Sequence, residues 1–172
     1  MSFELNRIII FIDNSNIFKG FRKYNIKADY EKMKNFIARG RELKFIFLYE
    51  GVVYPISPQK KRWYKELSNR SGYVIKTSFD KIASNGVVEK KIDIRIAIDI
   101  VSLAYENAYD TAVLVSGDGD FVPVIKKVKE LEKNLEVWAF KYSLANTIKK
   151  ELEQENIHYF EEILSEIKII EP

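Results

Sequence analysis

Two aspartates, Asp118 and Asp120, stand one residue apart in Ser116-Gly117-Asp118-Gly119-Asp120-Phe121, directly after the apolar run Val113-Leu114-Val115. The run reads as a buried strand, and open α/β sheets bind ligands at the carboxyl ends of their parallel strands. Two carboxylates this close repel each other, a cost that a cation or hydrogen bonds offset. A second strand-like run, Arg7 to Ile12, ends in Asp13 and continues into Asn14, Ser15 and Asn16. If these strands are neighbours, Asp13, Asp118 and Asp120 meet at one sheet edge. Hard oxygen donors of that kind suit Mg2+ or Mn2+. The plainer alternative is a pair of helix caps without a metal, since aspartate is a favoured N-cap. Asn16 carries the same ambiguity: it either caps the helix containing Ile17, Phe18 and Phe21 or serves the site.

Composition narrows the chemistry further. At 172 residues and 47% hydrophobic, the chain is sized for one domain, spanning residues 1–172, with a full core. It contains no cysteine and a single histidine, His158, which excludes disulfides, thiolate zinc sites, a cysteine nucleophile and histidine-pair catalysis. His158 sits beside Tyr159 and Phe160 near an apolar run and reads as an ordinary packed or surface residue. Carboxylates, lysines and hydroxyls are left to do any chemistry. The run Ile8 to Ile12 is too short for a signal peptide or membrane span, so the sequence predicts a cytoplasmic protein without a membrane partner. A net charge of +3, with acidic residues gathered at one site, leaves the remaining surface more basic, which is compatible with a polyanionic substrate.

The elements that must position these residues are legible as alternation. Strand-like runs occur at Arg7–Ile12, Lys44–Tyr49, Tyr73–Thr77, Thr111–Ser116 and Glu136–Phe140, with helical patterns between most of them. This predicts a three-layer α/β/α sandwich with a mainly parallel central sheet. The unbroken run Ile8-Ile9-Ile10-Phe11-Ile12 suits a strand covered on both faces. Ser57 followed by Pro58 predicts a helix start, and Gly72 its end. Val124, Ile125, Val128 and Leu131 form an apolar stripe after Asp120, and Leu144, Ile148 and Leu152 mark a further helix. Ile92 to Ile100 alternates like a half-buried strand. The polar stripe Arg95, Asp99, Ser102 and Glu106 nevertheless favours a helix, with Asp93 in its first turn, where the dipole favours negative charge. Asp99 then lies about 240° round the axis from Asp93. Its spacing predicts an ion pair with Arg95 or a structural hydrogen bond.

Taken together, Phe11-Ile12-Asp13-Asn14-Ser15-Asn16, Lys90-Lys91-Ile92-Asp93 and Ser116-Gly117-Asp118-Gly119-Asp120-Phe121 resemble, in order and spacing, the signature motifs of the NYN domain family, the LabA-like branch of the PIN-like nucleases. The resemblance runs from about Arg7 through the helix beginning near Leu144. It implies a Rossmann-like fold and divalent-metal-dependent cleavage of phosphodiester bonds, usually in RNA. It further implies metal-site and catalytic roles for Asp13, Asp93, Asp118 and Asp120, with Asn16 and Ser116 in support. Lys91 stands where many LabA-like sequences have glycine, a departure that bears on the loop's approach to substrate. Lys90 is the candidate contact to a phosphate oxygen, and a homodimer is compatible with the sequence.

Competing classes remain at this stage. A nucleic-acid or nucleotide-binding module could keep the acidic pocket with little turnover. A toprim-like enzyme also places Asp-x-Asp after a strand, but its first strand presents glutamate where Asp13 stands. A dinucleotide oxidoreductase fits poorly, because no Gly-x-Gly-x-x-Gly turn follows the first strand. A phosphatase with an aspartyl nucleophile would form a phosphorylated Asp13. Lys60, Lys61, Arg62, Trp63 and Lys65 read either as a strand-binding surface or as a solvated helix anchored by Trp63, the second being the simpler. The segment Lys76 to Lys91, with a turn at Ser84-Asn85-Gly86, is either a substrate flap or a surface excursion.

Overall fold

A computed structural model describes residues 5–79 and 91–170. Six parallel strands form one sheet: β1 (Arg7–Asp13), β2 (Glu42–Val52), β3 (Tyr73–Phe79), β4 (Thr111–Val115), β5 (Asn134–Ala139) and β6 (Ile157–Tyr159). Their spatial order is β3-β2-β1-β4-β5-β6. The chain thus winds outward one way from β1, then returns to the centre and winds the other way from β4. That reversal leaves a crevice above the carboxyl ends of β1 and β4, the position where such sheets bind ligands.

Among the described residues, seven helices cover the sheet: α1 (Asn14–Lys23), α2 (Tyr30–Ala38), α3 (Pro58–Ser71), α4 (Lys91–Tyr105), α5 (Val122–Glu130), α6 (Asn146–Glu151) and α7 (Leu164–Ile167). The continuous apolar run of β1 is explained by two cores. Ile8, Ile10 and Ile12 pack in the layer of α1, α2, α3 and α7 with Ile17, Met33 and Leu67, whereas Ile9 and Phe11 pack in the layer of α4, α5 and α6 with Ile96, Ile125 and Ile148. Side chains alternate across a strand, so a strand covered on both faces must be apolar throughout.

Local signals account for several boundaries. The Ser57 side chain accepts from the Lys60 N–H, Pro58 occupies the first turn of α3, and Gly72 ends it at φ 71°, a left-handed conformation that glycine adopts without strain. The alternating isoleucines of α4 form a helix because Ile92, Ile96 and Ile100 are buried at a spacing of four. Ile94 and Ile98 are 63% and 58% exposed, so the period-two pattern hid a narrower buried stripe. Two expectations need revision near the chain's end. The helix marked by Leu144, Ile148 and Leu152 is only Asn146–Glu151, with the two leucines buried just beyond its ends. The strand β6, three residues long, was too short to leave a periodic pattern. The turn expected at Ser84-Asn85-Gly86 lies outside the described residues.

Close packing ties α1 to the sheet. A Cβ built on Gly20 would lie 2.0 Å from the Phe140 ring, which is itself held by Phe21 and Phe160 at centroid distances of 5.3 and 5.2 Å. Gly20→Ala should therefore overpack this cluster and destabilise the fold by about 1–3 kcal/mol. Thermal denaturation checks this, and an unchanged melting temperature contradicts it.

Candidate metal centre

Two strand ends build the centre. Ile12 pairs with Val115, and Asp13 pairs with Tyr49 on the other side. Asp13 leaves the strand with φ −76° and ψ 92° and caps α1, its Oδ1 accepting from the Asn16 N–H at 3.2 Å. Its Oδ2 accepts from the Ser116 hydroxyl at 3.1 Å, and that same hydroxyl oxygen accepts from the Asp118 N–H at 3.3 Å. Asp118 in turn caps the 3-10 turn Gly119–Phe121, its Oδ1 accepting from the Asp120 N–H at 3.0 Å. Asn16 Oδ1 accepts from the Gly117 N–H at 3.2 Å. The cap of α1 is thus Asp13, and Asn16 lies inside the helix with its side chain turned to the β4 loop. The two readings weighed from sequence for Asp118, a cap and a member of the site, meet in that residue, which caps the 3-10 turn and joins the acidic cluster.

Gly117 and Gly119 let this loop approach the segment after β5. A Cβ on Gly117 would lie 2.5 Å from the Ser143 carbonyl oxygen, and one on Gly119 would lie 2.8 Å from Thr147 Oγ1. The Ala145 N–H also donates to the Gly117 carbonyl at 2.9 Å. Sequence reading placed Leu144 in a helix stripe but gave residues 143–147 no part in the site. The two glycines were the only hint of a close neighbour.

The third contribution comes from α4, whose first turn carries Asp93. Asp93, Asp118 and Asp120 each present a carboxylate oxygen, and the three oxygens lie within 4.8 Å of one another. Asp13 stands beside this trio, outside that cluster and only 6% exposed. Burial is the main cause that raises its carboxyl to about 6, and the charges of Asp93 and Asp118 add to it, against the hydrogen bonds from Asn16 and Ser116. The all-oxygen donor set is of the kind that holds a hard divalent cation such as Mg2+ or Mn2+.

The profile of the NYN domain matches residues 7–164. The chain belongs to the NYN domain family. The low amplitude and bright protein LabA of Synechococcus elongatus is 28% identical over 145 residues, which cover 80% of this chain and 75% of that protein. A crystal structure of a Vibrio parahaemolyticus protein of unknown function superposes with a TM-score of 0.79 at 19% identity, covering 92% of this chain and 95% of the other. That likeness establishes the fold. NYN membership implies nuclease-like chemistry, consistent with an acidic cluster at the crevice.

Other residues of this NYN domain fall away from the cluster. Asp99 accepts from Tyr49 Oη at 2.7 Å and from Lys76 Nζ at 2.6 Å. Its ion-pair partner is thus Lys76 of β3, while Arg95 donates to the Thr77 carbonyl at 2.8 Å. A helix-surface spacing rule cannot anticipate a cation from a neighbouring strand. Lys90 lies outside the described residues, and Lys91 opens α4 in an exposed position. His158 stacks on Trp138 at 4.8 Å, on a strand remote from the acidic residues. Among the described residues, no helix is long and apolar enough to cross a membrane.

Proposed function

We propose that this chain is a ribonuclease that uses Mg2+ or Mn2+ to hydrolyse phosphodiester bonds of single-stranded RNA. The observation that carries the reading is the convergence of Asp93, Asp118 and Asp120 within 4.8 Å at the carboxyl edge of the sheet, in a chain whose family implies nuclease-like chemistry. When bound, a divalent cation neutralises charge on the reacting phosphate and favours ionisation of water.

The protein's own contribution is placement. The three carboxylates hold the cation, and Asp13 fixes their loop through Ser116 and the Asp118 N–H. Asn16 secures Gly117 from the α1 side. Lys90 contacts a phosphate oxygen as a point charge. Water attacks phosphorus in line with the departing 3′ oxygen; the P–O3′ bond breaks, the leaving oxygen gains a proton, and the products carry a 5′-phosphate and a 3′-hydroxyl.

The test is cleavage of end-labelled single-stranded RNA by the full chain with Mg2+, Mn2+ or EDTA, alongside a binding measurement. Metal-dependent products support the proposal. Binding without cleavage under any metal would instead identify an RNA-binding module. A second check needs no substrate: saturating Mg2+ or Mn2+ should raise the melting temperature, because a ligand at one hundred times its dissociation constant adds ~2.7 kcal/mol. That corresponds to roughly 5–11 °C for a chain of this size. An unchanged melting curve at millimolar metal counts against the centre.

A further inference from the structure

We propose that the cavity between α1 and α3 receives a nucleobase of the same RNA strand whose backbone crosses the acidic cluster, an inference that rests on the ribonuclease reading above. The cavity has a volume of about 670 Å³, within the range of roughly 300–1,000 Å³ typical of small-ligand pockets.

Its location follows from the strand register. Asn14, in its wall, directly follows Asp13. Glu50, also in its wall, directly follows Tyr49, the β2 partner of Asp13. Neighbouring strands are separated by about 4.8 Å, so the cavity begins one strand away from the carboxyl edge that holds the acidic residues. It lies on the α1 and α3 side of the sheet, around the edge from α4. A strand of RNA laid over that edge can place a phosphate at the acidic cluster and turn an adjacent base towards α3.

The lining chemistry suits a base better than a purely apolar guest. Phe18 and Trp63 offer aromatic surface, and Phe18 is left 52% exposed. Trp63 packs edge-on against Tyr30 at 5.2 Å and is half-buried. At the polar end, the buried Glu50 carboxylate accepts from Lys60 Nζ and from Tyr64 Oη. That places fixed hydrogen-bonding groups beside aromatic faces, the combination by which single-stranded RNA is held and oriented. The lining balances Lys27 and Lys60 against Glu50 and Glu66, so it carries no net charge and suits an uncharged base, while the phosphates stay outside it. The basic segment around Trp63 thereby gains a role that a plain solvated helix would not have.

The experiment uses tryptophan emission. The chain has two tryptophans; Trp138 is 6% exposed in the core, which leaves Trp63 as the reporter of the cavity. The full-length protein is titrated in EDTA with A5 and U5 RNA pentamers and with a fully abasic pentamer carrying the same phosphates. Quenching by A5 or U5, with at least tenfold weaker binding of the abasic strand, supports the proposal. Phe18→Ala, a change at a half-exposed position, should weaken pentamer binding by about tenfold, the loss of one stacking contact. Equal binding and equal signal with the abasic strand would overturn the base pocket, as would an unaltered affinity in Phe18→Ala. Parallel cleavage assays separate the two ideas. Metal-dependent cleavage without base-dependent quenching leaves the nuclease standing and removes the pocket; base-dependent quenching without cleavage does the reverse.

Discussion

Asp118→Asn should reduce metal-dependent RNA cleavage by on the order of 10²-fold or more, the scale on which a group poised at developing charge contributes to rate, while leaving the fold intact. The substitution separates two roles of one side chain. Asp118 Oδ1 accepts from the Asp120 N–H at 3.0 Å, and the asparagine carbonyl can accept the same bond, so the 3-10 turn keeps its cap. What disappears is a negative charge from a trio of oxygens within 4.8 Å. The thermal gain on adding Mn2+ should shrink with the activity, because both depend on cation affinity. Circular dichroism and the melting curve in EDTA should match the parent or show slightly higher stability. Activity within threefold of the parent at saturating metal would remove Asp118 from the centre.

Asp13→Asn should raise the stability of the metal-free protein. In the metal-free protein the Asp13 carboxyl is raised to about 6 from an ordinary 3.8, chiefly by burial. The folded state therefore holds its proton more tightly than the unfolded chain does. Below pH 3.8 both states are protonated and nothing is lost. Between about 3.8 and 6 the unfolded chain ionises first, and stability falls as pH rises. Above about 6 the full penalty is present, ~3 kcal/mol at about 1.4 kcal/mol per tenfold change in proton affinity. Asparagine carries no such penalty. Its carbonyl can still accept from the Asn16 N–H, and its amide can donate to Ser116 Oγ. In EDTA at pH 8, Asp13→Asn should melt several degrees above the parent, with the difference fading near pH 4, and should cleave RNA more slowly. Equal or lower stability than the parent at pH 8 would show that the Asp13 charge is not strained. The pair of variants would thus expose a trade of stability for function at one carboxylate.

The contrast between what sequence revealed and what it concealed follows the range of the interactions. Five of the six strands were legible because β1 and its neighbours are apolar on both faces, and α3 was legible because Ser57, Pro58 and Gly72 act locally. The Asp13 and Asp118 motifs were legible for the same reason, each being short and placed at the end of an apolar run, whereas Asp93 in the first turn of α4 was reached through the family resemblance. Three features needed coordinates. The meeting of Asp93 with Asp118 and Asp120 joins the start of α4 to the loop after β4. The pairing of Asp99 with Lys76 and Tyr49 joins a helix to two different strands. The cavity bounded by Asn14, Glu50 and Trp63 gathers residues from three separated segments. In each case the deciding contact is distant in the chain, where periodicity carries no information.

The bond from Ser116 Oγ to Asp13 Oδ2 spans 103 residues, and that span has a temporal meaning. During synthesis the first strand emerges long before the fourth, and loop closure of this length must precede the assembly of the acidic edge. A half-made chain still tethered to its ribosome holds Asp13 but lacks Asp118 and Asp120. The acidic edge therefore assembles only after β4 has been made and has paired with β1, so the centre cannot form before the middle of the sheet does.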